Sequence, residues 1–211
     1  LTAKRPIALT FLPMLLAFDI GNTEITVGLF VGEQLEGHWR LTTNPDRTPD
    51  EWGVALGAFL LHAGHSPAEI RASVIASVAP GVTQSLLEGV RELTGAEVRV
   101  VDAASPLPIR LDVDEPRTVG ADRIVNTLAA VERFKTDTIV VDFGTATTFD
   151  VVSKDGDYLG GAIAPGLGIA ADALVRRTAK LPKVELTFPE NAIGRNTVAA
   201  MQSGLVIGYV G

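Results

Sequence analysis

Apolar runs separated by short polar turns dominate the first half of the chain, a pattern typical of an α/β protein. Two of these runs flank the sequence Asp-Ile-Gly-Asn-Thr and predict a β-hairpin. Trp52, Phe59 and Leu60 recur at helical spacing and are expected to face a core. The predicted elements are strands over residues 15–20, 25–31 and 34–42, a helix over 49–62, a strand over 72–78, a helix over about 82–93 and a strand over 98–102.

The second half repeats the hairpin pattern after a Pro-rich stretch, residues 106–116. A helix is predicted over about 121–134, and apolar runs over 138–141 and 149–152 then flank Asp-Phe-Gly-Thr-Ala-Thr-Thr. Each half therefore contains an apolar strand followed by Asp, an apolar residue and Gly. This weak repetition at long period predicts two similar α/β halves, over residues 14–105 and 106–211.

The N-terminal residues superficially resemble a signal peptide, because Lys4 and Arg5 precede an apolar run over residues 7–18. Pro6 precedes this run and Thr10 and Pro13 interrupt it, and it is too short to span a bilayer as a helix. Cleavage there would also destroy the first hairpin. We therefore interpret residues 1–13 as an upstream extension and Met14 as the natural start.

Composition narrows the class of protein. With 211 residues, 46% of them hydrophobic and 20% charged, the chain can bury a core. Its net charge of -7 and scattered basic residues argue against nucleic-acid binding, and no membrane partner is expected. The sequence contains no Cys, which removes disulfides and thiolate chemistry and suits a cytoplasmic location.

The first hairpin turn has the residues that a nucleotide phosphate requires. Gly21 lets the backbone approach a phosphate closely, Asn22 and Thr23 add donors, and Asp19 at the strand end is placed to hold hydrated Mg²⁺. An ordinary hairpin turn would also favour Gly and Asn. The recurrence of the pattern favours phosphate binding; the residues of the second turn are Gly144, Thr145 and Thr147, with Asp142 as the acidic partner.

Several motifs occur together in an order that resembles a known family. They are Asp-x-Gly-Asn-Thr at 19–23, Gly-Ala-Asp-Arg at 120–123, Asp-Phe-Gly-Thr-Ala-Thr-Thr at 142–148, Gly-Gly-Ala-Ile-Ala-Pro-Gly at 160–166, Gly-Arg-Asn-Thr at 194–197 and Met-Gln-Ser-Gly at 201–204. Together they resemble the type III pantothenate kinases of the actin/hexokinase/Hsp70 superfamily. The resemblance implies two ribonuclease H-like lobes with a β-β-β-α-β-α-type core, the second of them incomplete.

The resemblance also implies an activity, the phosphorylation of pantothenate by ATP as the first step of coenzyme A biosynthesis. The implied ATP-binding residues are Asp19, Ile20, Gly21, Asn22, Thr23, Glu24, Ile25, Thr26 and Thr145. The implied pantothenate-binding residues are Gly120, Ala121, Asp122, Arg123 and Thr197. Asp142 would bind a monovalent cation, K⁺ or NH₄⁺, and Mg²⁺ would accompany ATP. A homodimer is also implied, with residues 162–174 suited to close packing.

Asp122 is the expected catalytic residue. It lies where a loop turns into the predicted helix, in the first turn, where a carboxylate is favoured, so an ordinary first-turn acid is the alternative. In phosphoryl transfer a carboxylate accepts the hydroxyl proton, and this is the role that the resemblance implies for Asp122. Arg123 beside it would bind the substrate carboxylate.

One position departs from the family pattern. Val113 lies three residues before Pro116, where the family often has a Tyr that lines the pantothenate site, so a hydroxyl contact is absent. Two other functions therefore stay open: a kinase for another small hydroxyl compound, and a non-catalytic transcriptional accessory factor of the same fold.

The C-terminal residues form an apolar segment. Family members continue beyond this point, so we expect residues 1–211 to be a fragment or the ordered part of a longer chain. Leu205, Val206, Ile207 and Tyr209 are then expected to lack the elements that bury them.

Overall fold

The structure is a computed structural model that describes residues 13–210, and these form two compact units. The first unit ends at Pro106 and also includes residues 117–125. The second comprises residues 107–116 and the chain from Asn126 onward. The predicted N-terminal extension lies outside the described residues except for Pro13.

The first unit is built on a five-stranded sheet with the order β3-β2-β1-β4-β5. Its elements are β1 (Met14–Ile20), β2 (Glu24–Val31), β3 (Gln34–Thr42), α1 (Pro49–His62), β4 (Ile70–Ser77), α2 (Pro80–Thr94) and β5 (Glu97–Val100), with a 3-10 turn at Pro67–Glu69. The hairpin strands β1, β2 and β3 are antiparallel, whereas β4 is parallel to both β1 and β5. This is the predicted β-β-β-α-β-α-β order.

Period-two alternation in the strands builds the core of this unit. Leu16, Phe18 and Ile20 of β1 are buried, and the residues between them are more exposed. Buried residues of the other strands and of α1 and α2 complete this core. The residues that the two helices contribute are Trp52, Leu56, Leu60, Val82, Leu86, Leu87 and Val90. The prediction that Trp52 and Leu60 belong to the core is confirmed, and Phe59 packs against it partly buried.

The start of α1 is defined by a capping box. The Thr48 hydroxyl accepts a hydrogen bond from the Glu51 N–H, and the Glu51 carboxylate accepts one from the Thr48 N–H at 2.8 Å. The Glu51 carboxylate accepts hydrogen bonds from the Thr48 N–H and from the Thr48 hydroxyl, and these lower the pKa of Glu51 below its usual value. The helix therefore begins immediately after the loop that follows β3.

The second unit contains a four-stranded sheet with the order β6-β9-β8-β7. Its strands are β6 (Arg110–Leu111), β7 (Thr138–Phe143), β8 (Ala146–Val152) and β9 (Asp157–Pro165), and its later helices are α4 (Leu167–Arg177) and α5 (Thr197–Gln202). Helix α3 (Ala121–Phe134) follows a 3-10 turn at Pro116–Thr118 and contributes to both units. The predicted second hairpin is present as β7 and β8, paired from Thr138 with Val152 to Phe143 with Thr147.

Two features of the second unit differ from the expectations. The Pro-rich stretch contains strand β6, which pairs in parallel with β9 and is too short to give a periodic signal. The chain after α5 continues as a π-helical turn, Ser203–Ile207, and then as a short α-helical turn, Gly208–Val210. Leu205 is buried and Val206, Ile207 and Tyr209 are half-buried, so the expectation that all four lack burying partners is wrong.

The α/β class predicted from the sequence is confirmed by these sheets and helices. None of the helices within residues 13–210 is long and apolar enough to cross a membrane.

Candidate active site

The turn between β1 and β2 is the first predicted phosphate site. The Gly21 N–H donates to the carbonyl oxygen of Glu24 at 3.0 Å, which closes the turn, and the side chains of Asn22 and Thr23 are exposed. A Cβ atom added to Gly21 would lie 3.0 Å from the same Glu24 oxygen. The tight turn therefore favours glycine and presents polar side chains to solvent.

The hairpin register divides the predicted ATP-binding residues into two groups. Ile20 pairs with Ile25, and both side chains are fully buried, so these residues can meet a phosphate only through their backbone. Asp19 pairs with Thr26, and both side chains are exposed on the opposite face of the hairpin. The Glu24 carboxylate lies 3.7 Å from the Arg40 guanidinium.

Contacts of Val78 place the Gly-Ala-Asp-Arg motif beside this turn within the first unit. The Val78 N–H donates to the carbonyl oxygen of Ile20 at 3.0 Å, so the chain leaving β4 is held at the end of β1. A Cβ atom added to Gly120 would lie 3.3 Å from Cγ1 of Val78. The contacts from Ile20 through Val78 to Gly120 place Asp122 at the same edge of the sheet as the first turn.

Asp122 lies in the first turn of α3, as predicted. Its Oδ1 atom accepts a hydrogen bond from the Arg123 N–H at 2.7 Å and would overlap any Cβ atom added to Gly120. Gly120 therefore leaves space that the Asp122 carboxylate occupies. Ala121 is buried, whereas Asp122 and Arg123 are half-buried and can be reached by a ligand.

The turn between β7 and β8 is the second predicted phosphate site. The Gly144 N–H donates to the carbonyl oxygen of Ala146 at 2.9 Å, which repeats the closure of the first turn, and Thr145 is exposed. The Gly166 N–H donates to the carbonyl oxygen of Thr145 at 3.1 Å. Because a Cβ atom at Gly166 would overlap the carbonyl oxygens of Gly144 and Thr145, the start of α4 lies directly against this turn.

Thr147 does not extend the second phosphate site. Its side chain is buried, and its hydroxyl contacts the Tyr209 hydroxyl. The interpretation of Thr147 as an equivalent of the first-turn donors is therefore wrong.

Asp142 is the residue expected to bind a monovalent cation. Its Oδ2 atom accepts a hydrogen bond at 3.2 Å from the Asn126 amide, a neutral donor, and its side chain is exposed. A carboxylate with a neutral neighbour suits a hard cation, as does the exposed carboxylate of Asp19 for water-mediated contact with Mg²⁺. Within the described residues, no cluster of three or more His, Cys, Asp or Glu side chains forms a metal site.

Thr197, the remaining predicted substrate residue, lines a cavity of about 700 Å³ in the second unit. Asn196 caps α5 by accepting a hydrogen bond from the Ala199 N–H at 2.8 Å, and so orients the helix that begins with Thr197. The lining residues combine apolar and polar side chains: Leu174, Leu181, Arg195, Asn196, Thr197, Ala200, Met201 and Leu205, with Gly194 and Gly204.

Comparison with known proteins identifies the family. A family model described as type III pantothenate kinase matches residues 15–211. The chain belongs to the type III pantothenate kinase family. A type III pantothenate kinase of Moorella thermoacetica is 48% identical over 198 residues, which cover 94% of this chain and 78% of the relative. Another, of Thermomicrobium roseum, is 49% identical over 196 residues, covering 93% and 76%.

Membership of the type III pantothenate kinase family makes this chain an ATP-using enzyme of the kinase class. A solved structure from Campylobacter jejuni, described as a Baf family transcriptional activator, matches it with a TM-score of 0.53 at 18% identity, over 92% of this chain and 75% of that chain. At this identity the match shows a shared fold and carries no functional argument. The fold class that the resemblance implied is confirmed.

Sequence reasoning missed three residues that shape these turns. Val78 was predicted only as the end of a strand, Asn126 only as part of a helix, and Gly166 only as part of a Gly-rich motif. Asn126 lies four residues after Asp122, and residues at this spacing lie on one face of a helix. This spacing could have marked Asn126 as a candidate functional residue. The contact of Gly166 with the second turn had no local signal.

Proposed function

We propose that this enzyme transfers the γ-phosphate of ATP to the primary hydroxyl of pantothenate. The observation that carries the proposal is the chain of contacts from Ile20 through Val78 to Gly120, which brings Asp122 to the edge of the sheet where the first phosphate turn lies. A kinase needs a carboxylate near the transferred phosphate. In the first unit Asp122 would be that carboxylate, and the first turn would hold the phosphates of ATP.

In the proposed reaction the pantothenate hydroxyl oxygen forms a bond to the γ-phosphorus of ATP. The bond from this phosphorus to the β–γ bridging oxygen breaks, and ADP leaves with that electron pair. Asp122 accepts the proton of the hydroxyl. Arg123, the next residue of α3, is proposed to bind the pantothenate carboxylate, because a guanidinium and a carboxylate form charge-assisted hydrogen bonds.

The two turns have separate proposed roles in holding ATP. In the first unit, the backbone of residues 20–25 and the side chains of Asn22, Thr23 and Thr26 would donate to phosphate oxygens. In the second unit, the exposed Thr145 hydroxyl would give a further contact with ATP, and Thr197 would contact pantothenate.

We propose that two cations take part in the reaction. Mg²⁺, when bound with ATP, neutralises charge that develops on the phosphates. Asp19 would hold it through water, and Asp142, oriented by Asn126, would hold K⁺ or NH₄⁺. We place the reaction in the cytoplasm, where ATP is available, and propose that the enzyme works as a homodimer.

A coupled ADP-release assay, with and without pantothenate, tests the function. ADP release that depends on pantothenate, together with a product whose mass is raised by one phosphoryl group, is the expected result. A panel of other small primary alcohols tests whether Val113 has changed the substrate. Turnover with one of them and none with pantothenate would contradict the substrate assignment, and no turnover with any acceptor would contradict the kinase function.

A further inference from the structure

Thr43, which follows the last residue of β3, makes two hydrogen bonds to the first phosphate turn. Its hydroxyl donates to the carbonyl oxygen of Gly21 at 2.7 Å. Its backbone N–H donates to the carbonyl oxygen of Thr23 at 3.0 Å. One residue from the far side of the hairpin therefore binds two of the three carbonyl groups in residues 21–23.

These two bonds determine where the turn points its donors. In a planar trans peptide the C=O group and the following N–H group point in opposite directions. With the carbonyl oxygens of Gly21 and Thr23 directed at Thr43, the N–H groups of Asn22 and Glu24 are directed away from it. A phosphate is attracted by N–H groups and repelled by carbonyl oxygens, so this orientation is the one that a phosphate-binding turn needs.

Thr43 is itself held in place by the loop that follows it. The Asn44 side-chain oxygen accepts a hydrogen bond from the Asp46 N–H at 3.0 Å, and the Asn44 carbonyl oxygen accepts one from the Arg47 N–H at 3.3 Å. The Arg47 guanidinium lies 4.8 Å from the ring centroid of Trp52, whose side chain is fully buried in α1. Thr43 thus lies between a strand and a loop that is fastened to the core.

We propose that Thr43 is a positioning residue for the kinase reaction, orienting the turn of residues 21–23 for the phosphates of ATP. The inference rests on the proposed function, because it requires this turn to bind ATP. Thr43 acts through the turn and does not touch the reacting atoms.

The substitution Thr43→Val tests the role of the hydroxyl, because it keeps the branched shape and the backbone N–H. We expect the Kd of ATP to rise about 5- to 10-fold, the value of one hydrogen bond, with less than about a twofold change in the Kd of adenosine, which has no phosphate. Thr43→Ser, which keeps the hydroxyl, is expected to restore ATP affinity to within about twofold. Thr42→Val, one residue earlier on the exposed face of β3, is the matched control.

Comparing the change in the Kd of ATP with the change in the Kd of adenosine distinguishes positioning of the phosphate turn from a general loss of structure. If Thr43→Val unfolds, Thr43→Ala repeats the measurement with a side chain that makes no new contact. Unchanged ATP affinity without the hydroxyl, or equal losses for ATP and adenosine, would overturn the inference. In either case pantothenate-dependent ADP release by the parent enzyme would leave the proposed function standing, whereas its absence in the parent would contradict that function independently of Thr43.

Discussion

At the scale of single residues, Asp122 lies at the start of α3, and a hydrogen bond holds its carboxylate in place. Its Oδ1 atom accepts the Arg123 N–H and lies against Gly120. A side chain held in this way loses little conformational freedom when a substrate hydroxyl binds, which favours a role in positioning and proton transfer.

We predict that Asp122→Asn lowers kcat by about 10²- to 10⁴-fold, because the amide preserves the size of the side chain and cannot accept the proton. The Kd of ATP should change little. Steady-state kinetics and isothermal titration calorimetry measure the two quantities. Asp155→Asn, in the exposed turn between β8 and β9, is the control and should retain the parent kcat. An unchanged kcat in Asp122→Asn would sink the proton-acceptor assignment.

Thr145 is the exposed hydroxyl of the second turn, and its backbone is held by Gly166. We predict that Thr145→Val weakens ATP binding by about 3- to 10-fold, since it removes one donor and keeps the branched shape. Nucleotide titration measures the change, with Thr136→Val, an exposed position before β7, as the control. Equal nucleotide affinity in Thr145→Val and the parent would count against the contact.

At the scale of elements, the start of α4 packs on the β7–β8 turn so closely that only glycine fits at position 166. Gly166 has φ -66°, which any residue can adopt, so the restriction comes from the carbonyl oxygens of Gly144 and Thr145 and not from the backbone angle. A side chain at position 166 would therefore have to push the start of α4 and the β7–β8 turn apart.

We predict that Gly166→Ala lowers the melting temperature and weakens ATP binding, because the added methyl group displaces the turn that carries Thr145. Gly168→Ala is a matched control two residues later in the same helix, where an added Cβ meets nothing within 4 Å. That variant should be as stable as the parent or slightly more so, since Ala has the higher helix propensity. Differential scanning fluorimetry with and without ATP separates the two; equal behaviour of the variants would show that the turn tolerates the displacement.

The elements themselves were largely predictable, because the signals for them are local. The apolar run over residues 15–20 and the spacing of Trp52, Phe59 and Leu60 predicted a strand and a helix that the structure contains as β1 and α1. Strand β6 has only two residues and no periodicity, and it exists through its pairing with β9. Local pattern therefore could not reveal it.

At the scale of the whole molecule, exposed apolar side chains mark the second unit. Ile163 on β9 is 65% exposed and Ile169 on α4 is 46% exposed, and both belong to the segment 162–174 that is expected to form a dimer contact. On β7 the alternate residues Ile139, Val141 and Phe143 are also exposed. Apolar surface of this kind is favourable to bury in a subunit interface.

We predict a homodimer that uses residues 162–174. Size-exclusion chromatography with light scattering should give twice the chain mass for the parent, and Ile163→Glu or Ile169→Glu should shift the protein toward monomer, since a charge would be buried without a partner. Val54→Glu, at a position of α1 that is 75% exposed, is the control and should remain dimeric. A stable and active monomer in the parent would refute the dimer, and dimeric Ile163→Glu and Ile169→Glu variants would place its interface elsewhere.

The sequence by itself determined the order of the elements in the first unit, the positions of both glycine turns and the place of Asp122 in a first helical turn, because periodicity, turn chemistry and helix-start preferences act over a few neighbouring residues. Only the tertiary structure decided that Val78 connects Ile20 to Gly120, that Thr43 binds the carbonyl groups of the first turn, and that Thr147 is buried against Tyr209. These contacts join residues far apart in the chain, so they depend on strand register and packing, which no short stretch of sequence encodes.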